Sequence, residues 1–301
     1  MVQIVECIPN FSEGRRAEVV EAIVAAIRNT PGVKLLDYSM NADHNRSVVT
    51  FIGEPDAVLA AAFAGCRTAR DLIDMETQQG EHPRIGATDV IPFVPISGVT
   101  MAECIGLAQE LGRRIAAELE VPVYLYEEAA ARPERRDLAH IRKGQYEGLK
   151  QEIGVIPERA PDFGPAVLHP RAGATVVGAR MPLIAYNINL GTADLDIAKR
   201  IAKLIRARDG GFMHVKAMGV RLEERGIVQV SINMVNYQRT SLYRVFETVK
   251  IEAERYGVPV LGSEIIGMTP LDALVDAAEY YLRLEKFDRA QILENRLAAE
   301  E

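Results

Sequence analysis

Ile227-Val228-Gln229-Val230-Ser231-Ile232-Asn233-Met234 is the stretch that decides the fold. Val228, Val230, Ile232 and Met234 alternate with Gln229, Ser231 and Asn233. Successive side chains of an extended chain point to opposite faces, so this run is a strand that buries one face and presents a polar one. Outward from it, Glu223-Glu224-Arg225-Gly226 separates the strand Val215 to Leu222 from Ile227 to Asn236, which makes a hairpin. Upstream lie a strand from Leu183 to Leu190 and a helical period from about Asp194 to Arg206. Downstream, a helix starts at Ser241, a strand covers Val258 to Leu261, and Thr269-Pro270 supplies a cap and a proline for a final amphipathic helix. The order is βαββαβ.

The first half repeats this grammar. Ile4 to Ile8 reads as a buried strand, and Val19, Val20, Ile23, Val24 and Ile27 recur at helical spacing until Thr30-Pro31-Gly32. Val33 to Tyr38 and Val48 to Ile52 flank the turn residues Asn41-Ala42-Asp43-His44-Asn45, a second hairpin. A helix through Val58, Phe63, Cys66 and Ile73 and a strand from Val90 to Ile96 complete another βαββαβ unit. Thr100-Met101-Ala102-Glu103 is a capping box opening a further helix, and Val121 to Tyr126 is a further strand. From about 131 to 180 the periodicity fades into charge, proline and glycine, which predicts a long, weakly structured linker. The expected architecture is α/β (α+β): two ferredoxin-like βαββαβ subdomains, 1–180 and 181–301, each a sheet with helices on one face, their open faces lining a groove.

Composition narrows the function classes. The 301 residues are 48% hydrophobic and 26% charged, with no run approaching the roughly 18 apolar residues of a membrane span. The N-terminus leads straight into a strand-like segment, so a cytoplasmic protein is expected. The formal charge of −7 and the lack of an Arg/Lys-Gly-aromatic platform argue against nucleic acid, while leaving room for a local basic cleft. Cys7, Cys66 and Cys104 are odd in number and widely spaced, which reads as buried small hydrophobes, not disulfides or a thiolate cluster.

The residues that invite chemistry lie in loops. His82 stands in Gly80-Glu81-His82-Pro83-Arg84-Ile85-Gly86-Ala87, between a helix and a strand, with Glu81, Arg84 and Asp89 as nearby charges. Two readings stand on pattern alone: a catalytic imidazole, or a surface or capping histidine. His44 reads as a turn residue, with Asn45-Arg46 beside it able to reach into a groove. Asn10-Phe11-Ser12-Glu13-Gly14 reads as a strand-to-helix turn capped by Ser12, whose free backbone donors suit a carboxylate. His140, His169 and His214 share no metal-ligand spacing, so no metal is expected. Neither a phosphate loop nor a strand-associated G-x-G-x-x-G is present. Arg132, Arg135 and Arg136 read as a solvated face.

Several of these stretches carry a resemblance. Val5 to Gly14, Gly80 to Val90, Val121 to Tyr126, Ala160-Pro161-Asp162-Phe163-Gly164-Pro165 and Ala185-Tyr186-Asn187-Ile188-Asn189-Leu190 resemble the formiminotransferase family, including the transferase part of formiminotransferase-cyclodeaminase. The resemblance covers essentially the whole chain. It implies two α/β subdomains with a charged ligand tunnel between them, a homodimer, and transfer of a formimino group from N-formimino-L-glutamate to N5 of tetrahydrofolate, a step of histidine degradation and one-carbon metabolism. Tetrahydrofolate is then a co-substrate, no metal is needed, and the deaminase part is expected to be absent. His82 takes the catalytic place. Folate is implied along Gly164, Pro165, Ala166, Val167, Leu168, His169, Pro170, Arg171, Ala172 and Gly173. Asn10, Asn45, Arg46, Arg84, Asp162, Phe163, Asn187 and Asn189 are candidate substrate contacts. Expulsion of glutamate's amine requires a proton, and a group titrating near pH 6.5 is suited to take one from N5 and deliver it. Two alternatives remain: a related folate enzyme using N-formylglutamate or salvaging 5-formyltetrahydrofolate, and a non-enzymatic module binding folate or an amino acid.

Overall fold

The computed structural model of the chain describes residues 2–300, the last three of them as helix only. It divides into two compact units, with the boundary between Arg180 and Met181. In the first, β1 (Ile4–Cys7) and β2 (Asn10–Phe11) form one strand interrupted at Ile8-Pro9. They are followed by α1 (Ala17–Arg28), β3 (Val33–Asn41), β4 (Arg46–Gly53), α2 (Pro55–Leu72) and β5 (Thr88–Ser97). The strands lie side by side as β3, β4, β1/β2, β5, all neighbours antiparallel. This is the ferredoxin-like order. Val20, Ile23, Val24 and Ile27 of α1 are fully buried, each contributing about 1.5–3 kcal/mol through removal of its apolar surface from water.

The sheet then grows. α3 (Met101–Leu119) opens with the expected capping box: the Thr100 hydroxyl accepts from the Glu103 backbone N–H, and the Glu103 carboxylate accepts from that of Thr100. It packs beside α2 and leads to β6 (Val123–Glu127). The stretch expected to be a weakly structured linker is a built part of this unit. It contains α4 (Leu138–Ile141), α5 (Gln145–Glu152) and β7 (Thr175–Ala179). β7 inserts between β5 and β6, parallel to both. Its five residues follow directly on Gly173-Ala174, too short a run to declare a period.

Residues 133–141 pack against β6, and Asp162 and Phe163 bond to its backbone. The Tyr124 hydroxyl donates to the Arg159 carbonyl at 2.6 Å, and the Arg135 guanidinium lies over the Tyr124 ring, 5.1 Å from its centroid. Arg135 also pairs with Asp162 at 2.6 Å. The expectation of a solvated arginine face is therefore corrected: Arg135 is buried and Arg132 half-buried, and Arg136 alone of the three is exposed. Two predicted caps also fail. The Ser12 hydroxyl donates instead to the Gly86 carbonyl, and α1 starts after Arg16. The Thr269 hydroxyl is buried without a hydrogen-bond partner among the described residues.

The second unit runs β8 (Ile184–Leu190), α6 (Leu195–Ile205), β9 (Val215–Leu222), β10 (Ile227–Met234), α7 (Leu242–Glu254) and β11 (Val260–Ile266). Its antiparallel sheet is ordered β11, β8, β10, β9, again ferredoxin-like. β11 extends five residues beyond the predicted strand. α8 (Leu271–Leu282) is not the final helix, since α9 (Leu293–Glu300) follows. On β10, Val228, Val230, Ile232 and Met234 are buried as the alternation requires. Gln229 on the polar face is buried too, donating to Asn189 Oδ1 and Glu264 Oε1, both at 2.8 Å. Cys7, Cys66 and Cys104 are free and buried, and burial raises the Cys66 thiol to about 12, so it stays protonated. Among the described residues no helix is long and apolar enough to cross a membrane.

Candidate active site

Three segments far apart in sequence converge on a small crevice at one end of the first sheet, lined by Phe11, Ser12, His44, Asn45, Arg46, Gln78, His82, Arg84 and Asp89. The tip of the β3–β4 hairpin supplies His44 to Arg46. Asn45 has φ 46°, a left-handed conformation that asparagine tolerates better than most residues. Its side chain then pins two neighbours: Oδ1 accepts from Gly14 N at 2.9 Å, and Nδ2 donates to the Gln79 carbonyl at 2.9 Å. Gln78 Nε2 donates back to the Asn45 carbonyl, and Glu81 N donates to the Asp43 carbonyl. The contact is close enough that a Cβ on Gly80 would stand 2.2 Å from the His44 carbonyl oxygen, so only glycine fits there.

The loop carrying His82 is held from the other side by Arg84. This guanidinium is buried and donates to the Gln78 side chain and carbonyl, to Gln145 Oε1, and to both Glu147 oxygens at 2.7 and 2.9 Å. Asp89 fixes the exit of the loop. Pairing passes from Asn10 opposite Val90 to Phe11 opposite Thr88, which leaves Asp89 as an extra residue on β5. Such bulges re-aim a side chain, and here Asp89 Oδ1 accepts from Ile85 N at 2.9 Å while Oδ2 pairs with Arg142.

The segment Leu168 to Ala174 closes the arrangement. Met75 N donates to the Arg171 carbonyl, Ala87 N to the Ala172 carbonyl and Ala174 N to the Ile85 carbonyl, so both ends of the His82 loop are stitched to it. Within the segment, His169 Nδ1 accepts from the Arg171 and Ala172 amides, and Arg171 faces Asp74 at 3.4 Å. Leu168 and Ala172 are buried and Val167 is exposed. Gly164, at the other end, lies against Ala116 and Pro122.

His82 is partly buried, its ring centroid 6.1 Å from that of His44. Burial is the first cause that pulls its pKa down, to about 3, and the positive charges of Arg46 and Arg142 with nearby His44 add to it, against a hydrogen bond with the Pro83 backbone. At neutral pH the imidazole is therefore uncharged, and in the free protein it is a weaker base than the group titrating near 6.5 that the sequence led us to expect. Arg46 Nη2 donates to Asn10 Oδ1, and burial with the neighbouring Arg142 lowers this guanidinium to about 10, still charged at neutral pH.

Of the residues singled out from sequence, Asn10, Asn45, Arg46 and Arg84 come together around His82, and Leu168 to Gly173 adjoin its loop. Asp162 and Phe163 do not; they sit at the start of β6, where Asp162 accepts from Leu125 N and Phe163 bridges to Val123. Asn187 and Asn189 lie on β8 of the second unit, where Asn187 donates to Glu264 at 3.3 Å. Sequence reading missed Gln78 and Arg142. Gln78 falls in a helix-to-loop transition with no motif, and Arg142 follows a four-residue helix, 53 positions from its partner Asp89. Among the described residues no group of three or more His, Cys, Asp or Glu is placed to hold a metal ion.

Comparison with known proteins assigns the same chain. Residues 4–180 match the formiminotransferase domain, N-terminal subdomain, and residues 185–298 match the formiminotransferase domain. A glutamate formimidoyltransferase of Streptococcus pyogenes serotype M1 is 54% identical over 298 residues, 99% of both chains. One of Thermoplasma acidophilum is 50% identical, covering 98% of both. The formimidoyltransferase-cyclodeaminase of Gallus gallus is 48% identical over 95% of this chain and 54% of its own length. With both subdomain models matched along nearly its whole length and relatives at about half identity from end to end, the chain belongs to the formiminotransferase family.

Proposed function

We propose that the protein is an enzyme that transfers the formimino group of N-formimino-L-glutamate to N5 of tetrahydrofolate, releasing L-glutamate and 5-formiminotetrahydrofolate. The observation that carries this reading is the end-to-end likeness to the two glutamate formimidoyltransferases. The chemistry of the crevice suits it. N5 attacks the formimino carbon, forming an N5–C bond, and the tetrahedral adduct then breaks the bond from carbon to glutamate's nitrogen. Over the reaction one proton leaves N5 and one arrives on the departing amine. His82, neutral in the free protein, takes the first and delivers it to the second. His82 is the catalytic residue of this scheme; Arg84 and Asn45 position its loop, since their polar groups are spent on the protein itself.

Folate is placed along Gly164 to Gly173. What supports this is the tie between Leu168–Ala174 and both ends of the His82 loop, which makes that part of the segment a neighbour of the loop. Asn10 and Arg46 remain as substrate contacts beside His82. The test is turnover of purified protein with tetrahydrofolate and each of formiminoglutamate and N-formylglutamate, followed at the wavelength of the folate product. Formation of 5-formiminotetrahydrofolate from the first is expected. Turnover of the formyl donor alone would move the protein to a related one-carbon transfer. Binding of folate without turnover of either would make it a binding module.

A further inference from the structure

Resting on that reaction, we infer that Arg46 and Arg142 form a fork of two guanidinium groups that takes the α-carboxylate of the formimino donor and so sets the formimino carbon against His82. The sequence separates the two arginines, on β4 and just after α4, yet the fold brings both to His82. Like charges placed together in a partly buried site need compensation, because burial weakens solvent screening. Each has one neutral or shared partner: Asn10 for Arg46, and Asp89 for Arg142. Asp89 is the carboxylate set against two cations here, as Arg84 is matched by Glu147 and Glu13 by Arg16. One positive charge is left over.

The hydrogen-bonding inventory points the same way. Arg46 Nε and Arg142 Nε are both buried and have no acceptor among the described residues. A buried donor left unsatisfied is costly, and guanidinium donors match a carboxylate's geometry. Arg135, Arg159 and Arg289 carry similar buried nitrogens elsewhere, so what sets Arg46 and Arg142 apart is that they share a single carboxylate beside His82, and an anion entering the crevice would supply the charge they lack.

The reacting atoms decide which anion. In the donor, the nitrogen that carries the formimino group and the α-carboxylate share one carbon atom. With the formimino carbon at His82, that carboxylate has to lie in the immediate surroundings of the imidazole. The donor's γ-carboxylate is two methylene groups further away, and the carboxylates of tetrahydrofolate lie beyond its aminobenzoyl ring, remote from N5. A carboxylate bound between the guanidinium groups would also offset the field that keeps His82 from holding a proton, so the imidazole becomes better able to keep the proton taken from N5 until the amine leaves.

The experiment compares formiminoglutamate with its α-amide and its γ-amide, each with tetrahydrofolate, on the native chain and on Arg46→Gln and Arg142→Gln. On the native chain the α-amide should raise KM about 10- to 100-fold, the range expected for losing a charge-assisted hydrogen bond, and the γ-amide much less. The variants should lose a similar factor with formiminoglutamate and show little further loss with the α-amide. The assignment is overturned if the two amides are penalised equally by the native chain, or if the full α-amide penalty persists in both variants. The native-chain arm holds even if a variant fails to fold. Absence of native turnover with formiminoglutamate would instead remove the proposed reaction, and this assignment with it.

Discussion

The two units carry the same hairpin in the same place, and the two tips differ in how the described residues hold them: the first lines the candidate site and the second is an exposed turn. In the first unit, Asn41 to Arg46 is gripped from three directions, by Gly14, by Gln78 and Gln79, and by Glu81. In the second, Glu223-Glu224-Arg225-Gly226 is an exposed turn whose charge contact is local, Glu223 with Arg221 of its own strand at 3.8 Å. A Cβ added to Gly226 would meet nothing within 4 Å. Identical topology therefore does not confer chemistry; what differs is whether neighbouring segments fix the tip and bring charge to it.

The sharpest break of this comparison is at His82. His82→Asn should lower turnover by roughly 10²–10⁴-fold with much less change in folate affinity, because an amide keeps some hydrogen bonding but carries no proton near neutral pH. Steady-state rates beside a folate-binding isotherm measure the split. Near-native turnover in a folded His82→Asn protein would leave the crevice as a structural joint and shift the proton chemistry elsewhere.

A smaller effect is expected from unpinning the tip. Asn45→Ala removes two side-chain bonds and puts alanine in a left-handed conformation, which should cost about 1–3 kcal/mol in urea unfolding and reduce kcat/KM as Arg46 loses its register. The matching change in the other hairpin, Arg225→Ala, should stay within about 0.5 kcal/mol and leave turnover unaltered. Equal effects at both tips would erase the distinction.

Acid titration gives the mildest test. The folded His82 pKa of about 3 lies below the ordinary 6.5, so between those values the unfolded chain binds the proton more readily than the folded one. By linkage, stability should fall as pH drops from about 6.5 toward 3. His82→Asn should show a shallower decline over that window in thermal melts at matched ionic strength. Parallel curves would mean that His82 is more open to water than its burial indicates.

Much of the fold is readable from local pattern because each element declares its own period. Val228 to Met234 alternates, α1 repeats at helical spacing, and Thr100 with Glu103 marks a helix start. The failures share a cause. Ser12 has a capping residue's chemistry, but its hydroxyl is taken by Gly86, 74 positions away. β7 is a strand because β5 and β6 flank it, not because five residues announce one. Within the site, His82 stands out through its glycine- and proline-flanked loop, whereas Arg142 acquires meaning only through Asp89. Contacts that join distant positions leave no local period to read.

The insertion of β7 also orders events during synthesis. By the time β5 has emerged from the ribosome, the four neighbouring strands of the ferredoxin-like sheet are all available and can close over α1 and α2. The segment that holds Met75, Ile85 and Ala87 in place is still unmade, and so is Arg142. Because pairings of long sequence separation form slowly and domains fold as units as the chain appears, the nascent first unit is expected to pass through a stage with its four-stranded sheet paired, the core still lacking Val176 and Val177 of β7, and the His82 loop unset. Within the first unit the His82 loop is thus set late, when β7 slides between two strands made before it.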